Sequence, residues 1–164
     1  MRSREHEFNE LAGSLTYSMF IVTAAAGERR GGCLVGFAAQ CSISPSRFMV
    51  WLSKQNYTYG VARETSVLGV HALTRDTFEL ARLFGTETGH DTDKFARCAW
   101  HPDQHGLPLL EDCGTRFAGE VLAAHDTGDH VGFLLRPLTV SLDQRRRPRL
   151  TIDDVKDLTP GHEA

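Results

Sequence analysis

Two short polar segments hold the side chains in this sequence that are best placed to do chemistry. The segment 53–58, Ser-Lys-Gln-Asn-Tyr-Thr, follows an apolar run and is rich in hydroxyl and amide groups, so we predict an exposed, functional loop. The segment 125–130 gathers two histidines and two aspartates, and imidazole and carboxylate groups are common metal ligands. A segment rich in Asp and Gly is usually a turn, so we predict a turn here and no metal site.

The cysteines do not form a metal-binding or disulfide pattern. Cys33, Cys41, Cys98 and Cys113 lie far apart with no Cys-x-x-Cys pair, which predicts reduced, mostly buried thiols. The sequence also contains no Gly-x-Ser-x-Gly elbow, no complete P-loop and no Gly-x-Gly-x-x-Gly motif. These absences argue against a serine hydrolase, a P-loop nucleotidase and a Rossmann-type adenine site.

Length and composition limit the number of domains and the classes of partner that this chain can have. With 164 residues, 41% hydrophobic and 24% charged, the chain is long enough for one domain with a real core. Its net charge of −3 and its pI of about 6.2 argue against nucleic acid as a partner, so we interpret the arginine-rich segment 145–149 as solvated. Residues 1–10 lack the apolar core of a signal peptide and no run is long enough to span a membrane, so we expect a cytoplasmic protein.

Apolar runs separated by Gly, Pro and polar residues predict a mainly β fold. Strands are expected at 19–25, 33–43, 48–52, 67–73, 116–124 and 130–142, and helices at 8–15, 58–64 and 77–84. The segment 85–112 is interrupted by Gly and Pro, so we predict irregular structure with a helical turn near 93–95. A closed antiparallel barrel with short helical additions suits this pattern, because closure removes exposed strand edges. We expect one domain at 1–144 and a polar tail at 145–164 with little to bury.

Several segments also occur in the order found in one enzyme family. Gly32–Pro45 is followed by Phe48–Thr58, and Asp93-Lys94-Phe95, Gly106–Leu110 and Gly128-Asp129-His130 come later. Together they resemble the flavin reductase family, whose domain is an FMN-binding split barrel. The resemblance extends from Phe8 to Leu142 and implies a six-stranded antiparallel split β-barrel.

The resemblance also implies a flavin site. In that family the ring lies along the second strand and the turn after it, and the phosphate is held there and by the loop after the third strand. The matching positions are Leu34, Val35, Gly36, Phe37, Gln40, Cys41 and Ser42 for the ring and ribityl chain, with Ser53, Lys54, Asn56 and Thr58 near the phosphate. These types suit the task, because apolar side chains cover a ring, Gly36 allows close approach of the backbone, and Lys54 offers a charge.

His130 and three departures from the family complete the expected active site. His130 opens the last strand and is expected beside the nicotinamide, where it orients the substrate, because hydride transfer itself needs no protein acid or base. The chain has Leu34 where a Thr is usual, Gly36-Phe37 where two hydroxyl residues are usual, and Ser46 where a second Pro is usual. Hydroxyl groups are therefore absent at positions 34, 36 and 37, and we expect Phe37 to stack on the flavin ring or to shield it.

The activity that the resemblance implies is NAD(P)H-dependent flavin reduction. FMN or FAD would be the flavin, NAD(P)H the co-substrate, and a separate monooxygenase would receive the reduced flavin from a homodimer. Two alternatives stay open. One is a flavin-binding carrier or sensor without turnover, and the other is a split-barrel oxidoreductase that uses a deazaflavin or oxidises a small organic substrate directly.

Overall fold

The apolar runs pair into one seven-stranded antiparallel sheet in the computed structural model, which describes residues 1–161. The nine strands of the described chain are β1 Phe20–Ala26, β2 Arg29–Val35, β3 Ala38–Ser42, β4 Arg47–Ser53, β5 Val67–Ala72, β6 Trp100–Pro102, β7 Pro108–Leu110, β8 Arg116–Asp126 and β9 His130–Ser141. Across the large sheet their order is β2-β1-β5-β8-β9-β4-β3, while β6 and β7 form a separate hairpin. The prediction of a mainly β fold is therefore confirmed.

The main sheet has seven strands where the resemblance implied six, and it is not closed into the barrel that the sequence pattern favoured. The run predicted as one strand at 33–43 is two strands, because Gly36 and Phe37 interrupt it. β2 ends where Val35 pairs with Phe20 of β1, and the Phe37 carbonyl already accepts a hydrogen bond from the Trp51 amide of β4. The chain thus crosses from one edge of the sheet to the other within two residues, and the sheet stays split between β2 and β3.

The helices lie around this sheet. They are α1 Arg4–Gly13, α2 Tyr57–Ala62, α3 Phe78–Thr86 and α4 Ile152–Val155, with short 3-10 turns at Arg75–Thr77 and Lys94–Arg97. The apolar spacing predicted α3, and its buried residues are Leu80, Ala81, Leu83 and Phe84. α1 is capped by the Ser3 side chain but buries none of its residues, so its apolar side chains face solvent. Within residues 1–161, no helix is both long and apolar enough to cross a membrane.

We had expected the segment after residue 144 to be a polar tail with little to bury. Instead, part of it is packed against the body of the protein. Leu150 is 1% exposed, and Val155 is buried in the same apolar cluster as α3. Backbone hydrogen bonds fix the segment, because Met19 donates to the Leu150 carbonyl and Ile152 donates to the Tyr17 carbonyl. The packing comes from Leu150, Ile152, Val155 and Leu158, which lie among charged residues, so the sequence did not indicate it.

The excursion 85–112 contains two features that the sequence did not indicate. One is the β6–β7 hairpin, in which three residue pairs join Trp100–Pro102 to Pro108–Leu110. The other is the burial of Lys94, which is 4% exposed. Its ammonium donates to the carbonyls of Gly32, at 2.9 Å, and Phe84, at 3.2 Å. Lys94 therefore joins β2 to α3.

Candidate functional site

A groove of about 320 Å³ lies along the exposed edge of β2, where the sheet is split. Its walls come from β2 and the Gly36-Phe37 link, from the end of β4 and the loop after it, from the C-terminal end of α3, and from residues after 151. The apolar lining residues include Leu34, Val35, Phe37, Trp51, Leu52, Phe84, Ile152 and Leu158, and the polar ones include Ser53, Asn56, Glu87, His130 and Lys156. An apolar cleft with a few polar groups is the usual form of a small-molecule site.

The β2 wall turns backbone groups towards this groove. β2 pairs with β1 on one side only, and the Gly32 carbonyl points the other way, to Lys94. Outward-pointing groups alternate along an antiparallel strand, so Leu34 also directs its N–H and C=O away from β1. Leu34 lines the groove. A ligand lying here therefore meets one donor and one acceptor of the main chain.

Gly36 lets the main chain approach Tyr17 closely at this end of the groove. A Cβ atom added to it would come within 2.5 Å of Cε2 of the Tyr17 ring and 3.3 Å of Met19 Sδ. Real side chains do not tolerate the first of these distances, so the backbone at residue 36 approaches Tyr17 more closely than any residue but glycine allows. The close approach leaves the backbone itself as the surface of the groove.

The loop after β4 is fastened to the turn between β8 and β9. The Lys54 amide donates to the Asp129 carbonyl at 2.9 Å, and its ammonium donates to Asp126 at 2.8 Å. The hydrogen bond from Lys54 is the main cause that lowers the pKa of the Asp126 carboxyl below its usual value. Asn56 ends the loop and accepts from the Thr58 amide at 2.9 Å, which starts α2.

Three rings stand at the mouth of the groove. Phe37 and His130 have ring centroids 5.1 Å apart, and together with Trp51 they also line a second, adjoining cavity of about 340 Å³. His130 Nδ1 lies 2.7 Å from a carboxylate oxygen of Asp129, and the hydrogen bond from His130 lowers the pKa of Asp129. Phe37 is 52% exposed and lines both cavities, so its ring is not packed in the core.

The structure brings together part of the set expected from the sequence. The residues that line the groove are Leu34, Val35, Gly36, Phe37, Ser53, Asn56 and His130. The remaining candidates, Gln40, Cys41, Ser42, Lys54 and Thr58, do not line it. The first three of these are on β3, beyond the break that separates it from β2, and Thr58 is buried at the start of α2. Lys54 points to Asp126 instead.

Sequence reasoning missed the lining contributed by Tyr17, Trp51, Phe84 and the residues after 151. The apolar spacing of α3 predicted that Phe84 faces inward, but it did not indicate which part of the molecule Phe84 contacts. Cys33 also lines the groove, but burial raises its pKa to about 11. Its thiol therefore stays protonated near neutral pH, and Cys33 is a free, buried cysteine, as predicted for most of the cysteines.

Comparisons with known proteins relate this chain to one family. The family model described as Flavin reductase like domain matches residues 12–156. A high molecular weight rubredoxin of Moorella thermoacetica is 31% identical over 100 residues, which cover 60% of this chain and 44% of the relative. This chain thus spans less than half of that protein.

Two other relatives are matched over most of their length. The reductase component of 4-hydroxyphenylacetate 3-monooxygenase from Klebsiella oxytoca is 23% identical over 141 residues, which cover 84% of this chain and 82% of the relative. Among solved structures, an NADH:FAD oxidoreductase of Streptomyces globisporus C-1027 has a TM-score of 0.81 and 18% identity, and the match covers 92% of this chain and 90% of the other. At that identity the likeness concerns the fold.

Proposed function

Because this chain belongs to the family of flavin reductase like domains, we propose that it is an NAD(P)H-dependent flavin reductase that binds FMN or FAD in the groove beside β2. The observation that carries the proposal is the position of the groove. It runs along an open strand edge and meets the cavity of Phe37, Trp51 and His130 at its mouth, so a hydride acceptor and a hydride donor have adjoining places.

The residues of the groove fit a flavin. A volume of about 320 Å³ lies within the range of small-molecule sites. Leu34, Val35 and Phe84 offer apolar surface to a planar ring, and the outward N–H and C=O of Leu34 match the donors and acceptors on the ring edge. Ser53 and Asn56 place polar groups at the loop after β4, where the ribityl chain and phosphate need them.

The protein's part in the reaction is to bind, orient and exclude water. A bound flavin supplies the electron-accepting ring, and its reduced form carries negative charge. The Leu34 amide gives that charge a fixed donor, which lowers the free energy of the reduced state. Phe37 and Trp51 shield the space between the cavities from water, and His130, held by Asp129, orients the nicotinamide for close approach.

The partner proteins belong to the same proposal. The Klebsiella relative is named as the reductase component of a monooxygenase, and we assign the same role to this chain, which would deliver reduced flavin to a separate oxygenase. We also propose a homodimer, because its interface would bury apolar side chains that are exposed in the single chain. These include Phe8, Leu11 and Leu15 near α1 and Val140 and Leu142 near the end of β9. We place the protein in the cytoplasm, as its sequence led us to expect.

An anaerobic reduction assay tests the function. The purified chain is mixed with FMN or FAD and then with NADH or NADPH, and the visible flavin band is followed. We expect rapid bleaching with at least one nicotinamide and one flavin. An unchanged spectrum with tightly bound flavin would favour the carrier or sensor, and the mass of the extracted cofactor would reveal a deazaflavin. Light scattering of the purified chain measures whether it is a dimer.

A further inference from the structure

The end of the described chain forms one side of the groove. We call residues 156–161 the C-terminal strap. It leaves the body directly after the buried Val155, and Lys156, Leu158, Pro160 and Gly161 line the groove. Its far end meets the last turn of α3, because a Cβ atom added to Gly161 would lie 2.7 Å from the Thr86 carbonyl oxygen. The strap therefore runs beside the groove from α4 to α3.

Lys156 brings a positive charge to this groove. Among the described residues that line it, Lys156 is the only Lys or Arg. Its side chain is exposed, and within residues 1–161 no carboxylate forms an ion pair with it. Lys54, the cation that the sequence suggested for this purpose, is held by Asp126 outside the groove.

The negative charge of the one Asp or Glu that lines the groove within residues 1–161 is partly offset by an arginine. This residue is Glu87, and Arg97 Nη1 lies 3.7 Å from one of its carboxylate oxygens. An anionic ligand therefore meets a carboxylate whose charge is partly offset and an ammonium that no described carboxylate holds. Lysine ammonium groups bind phosphate oxygens through charge-assisted hydrogen bonds.

We propose that Lys156 binds a phosphate group of the nucleotide ligand, so that the C-terminal strap is a ligand-contacting wall and not a tail. The inference rests on the proposed function, because FMN, FAD and NAD(P)H all carry phosphate. The phosphate has two sources, the flavin and the nicotinamide dinucleotide, and both present the same chemistry to the ammonium. Neither Ser53 nor Asn56 supplies a positive charge, so Lys156 complements them.

Four proteins test the inference: the wild type, Lys156→Gln, Lys156→Arg and Arg146→Gln. Arg146 is exposed, belongs to the same C-terminal region and does not line the groove, so its variant controls for the loss of one positive charge. Dissociation constants are measured for FMN and for riboflavin, which lacks the phosphate, at low salt and at high salt. The KM for NADH is measured in the reduction assay at saturating flavin.

If the phosphate belongs to the flavin, Lys156→Gln weakens FMN binding about tenfold and leaves riboflavin binding unchanged. Lys156→Arg retains most of the affinity, and high salt weakens FMN binding to the wild type more than to Lys156→Gln, because salt screens exposed charges. If the phosphate belongs to the dinucleotide, the variant raises the KM for NADH by a similar factor and leaves FMN binding unchanged.

Three results would overturn the inference. In the first, Lys156→Gln has the same dissociation constants and the same KM as Arg146→Gln. In the second, Lys156→Gln weakens the binding of riboflavin and of FMN equally. In the third, Lys156→Gln changes neither FMN binding nor the KM for NADH. Failure of the proposed function is recognised separately, because the wild type would then bind no flavin at all.

Discussion

Lys54 and Asp126 form an ion pair, 2.8 Å from Nζ to Oδ2, that joins the loop after β4 to the turn between β8 and β9. The same turn carries Asp129 and His130, and the Lys54 amide also donates to the Asp129 carbonyl. Two walls of the candidate site are thereby fixed to each other. Lys54 thus connects two walls of the candidate site through Asp126, whereas the resemblance implied a place for it near the phosphate.

A double-mutant cycle distinguishes these two roles of Lys54. If Lys54 acts by fastening the loop, Lys54→Ala and Asp126→Ala each raise the FMN dissociation constant by about threefold, and the double variant adds little to either one. Both side chains are partly exposed, so a larger effect is not expected. A large loss for Lys54→Ala with no change for Asp126→Ala would instead indicate direct contact with the phosphate. Fluorescence quenching by FMN measures all four constants.

Substitution of Gly36 should narrow the groove. A Cβ atom there meets the Tyr17 ring, so Gly36→Ala must displace the ring or the backbone of the β2–β3 link. We expect a loss of about 1–2 kcal/mol in the free energy of unfolding and about tenfold weaker flavin binding. Gly13→Ala is the matched control, because nothing lies within 4 Å of a Cβ added at Gly13. Equal flavin affinity for the two variants would contradict the assigned place of the ring.

Removal of the Lys94 ammonium should destabilise the fold. Burial lowers the pKa of Lys94, but its ammonium satisfies the carbonyls of Gly32 and Phe84. Lys94→Met leaves both carbonyls without this donor, which should cost about 2–4 kcal/mol of unfolding free energy in urea titrations. Lys156→Met, at an exposed lysine, should change stability by about 0.5 kcal/mol or less. The expectation fails if the two variants unfold at the same urea concentration.

The buried His71 should make the protein less stable in acid. Its Nδ1 lies 3.1 Å from the Ile21 carbonyl oxygen and its Nε2 accepts from the Leu110 amide, so the ring is neutral. Burial is the main cause that lowers its pKa from 6.5 to about 4. The unfolded chain therefore takes up a proton first as the pH falls below 6.5. We expect His71 to cost up to about 3 kcal/mol of stability between pH 6.5 and pH 4.

Urea titrations from pH 7 to pH 4 measure this dependence. In His71→Gln the unfolding free energy should start lower but fall less steeply over that range, because the group that titrates is gone. His125→Gln serves as the control, since His125 is exposed near the end of strand β8. A wild-type slope retained in His71→Gln would show that other groups cause the acid sensitivity.

Local patterns predicted those parts of the fold that local interactions determine. The apolar runs of β4, β5, β8 and β9 and the spacing of Leu80, Leu83 and Phe84 in α3 each indicated their element within a few residues. The break at Gly36-Phe37 was not predicted, because it depends on pairing with distant strands. The residues before the break pair with β1 and the residues after it pair with β4. Val35 pairs across the sheet with Phe20, while Ala38 pairs with Val50.

The candidate site was predicted only where it follows the chain continuously. Leu34 to Phe37 and the loop from Ser53 to Asn56 came from ordered segments that resemble a family, and both line the groove. The contributions of Tyr17 and Lys156 come from opposite ends of the sequence, and neither has a local pattern that points to the groove. The burial of Lys94 was not predicted, because a lysine is almost never buried unless its charge is paired, and here main-chain carbonyls take the place of a charged partner.

The bare edge of β2 has a consequence for handling the protein. A strand that displays unsatisfied main-chain groups invites the strand of another molecule to add to it, which is how sheets grow into aggregates. Lys94 already covers this edge at Gly32, and a heterocycle resting against Leu34 would cover the next stretch. We therefore expect cells that are short of riboflavin to yield more precipitated and less recoverable protein than cells supplied with it.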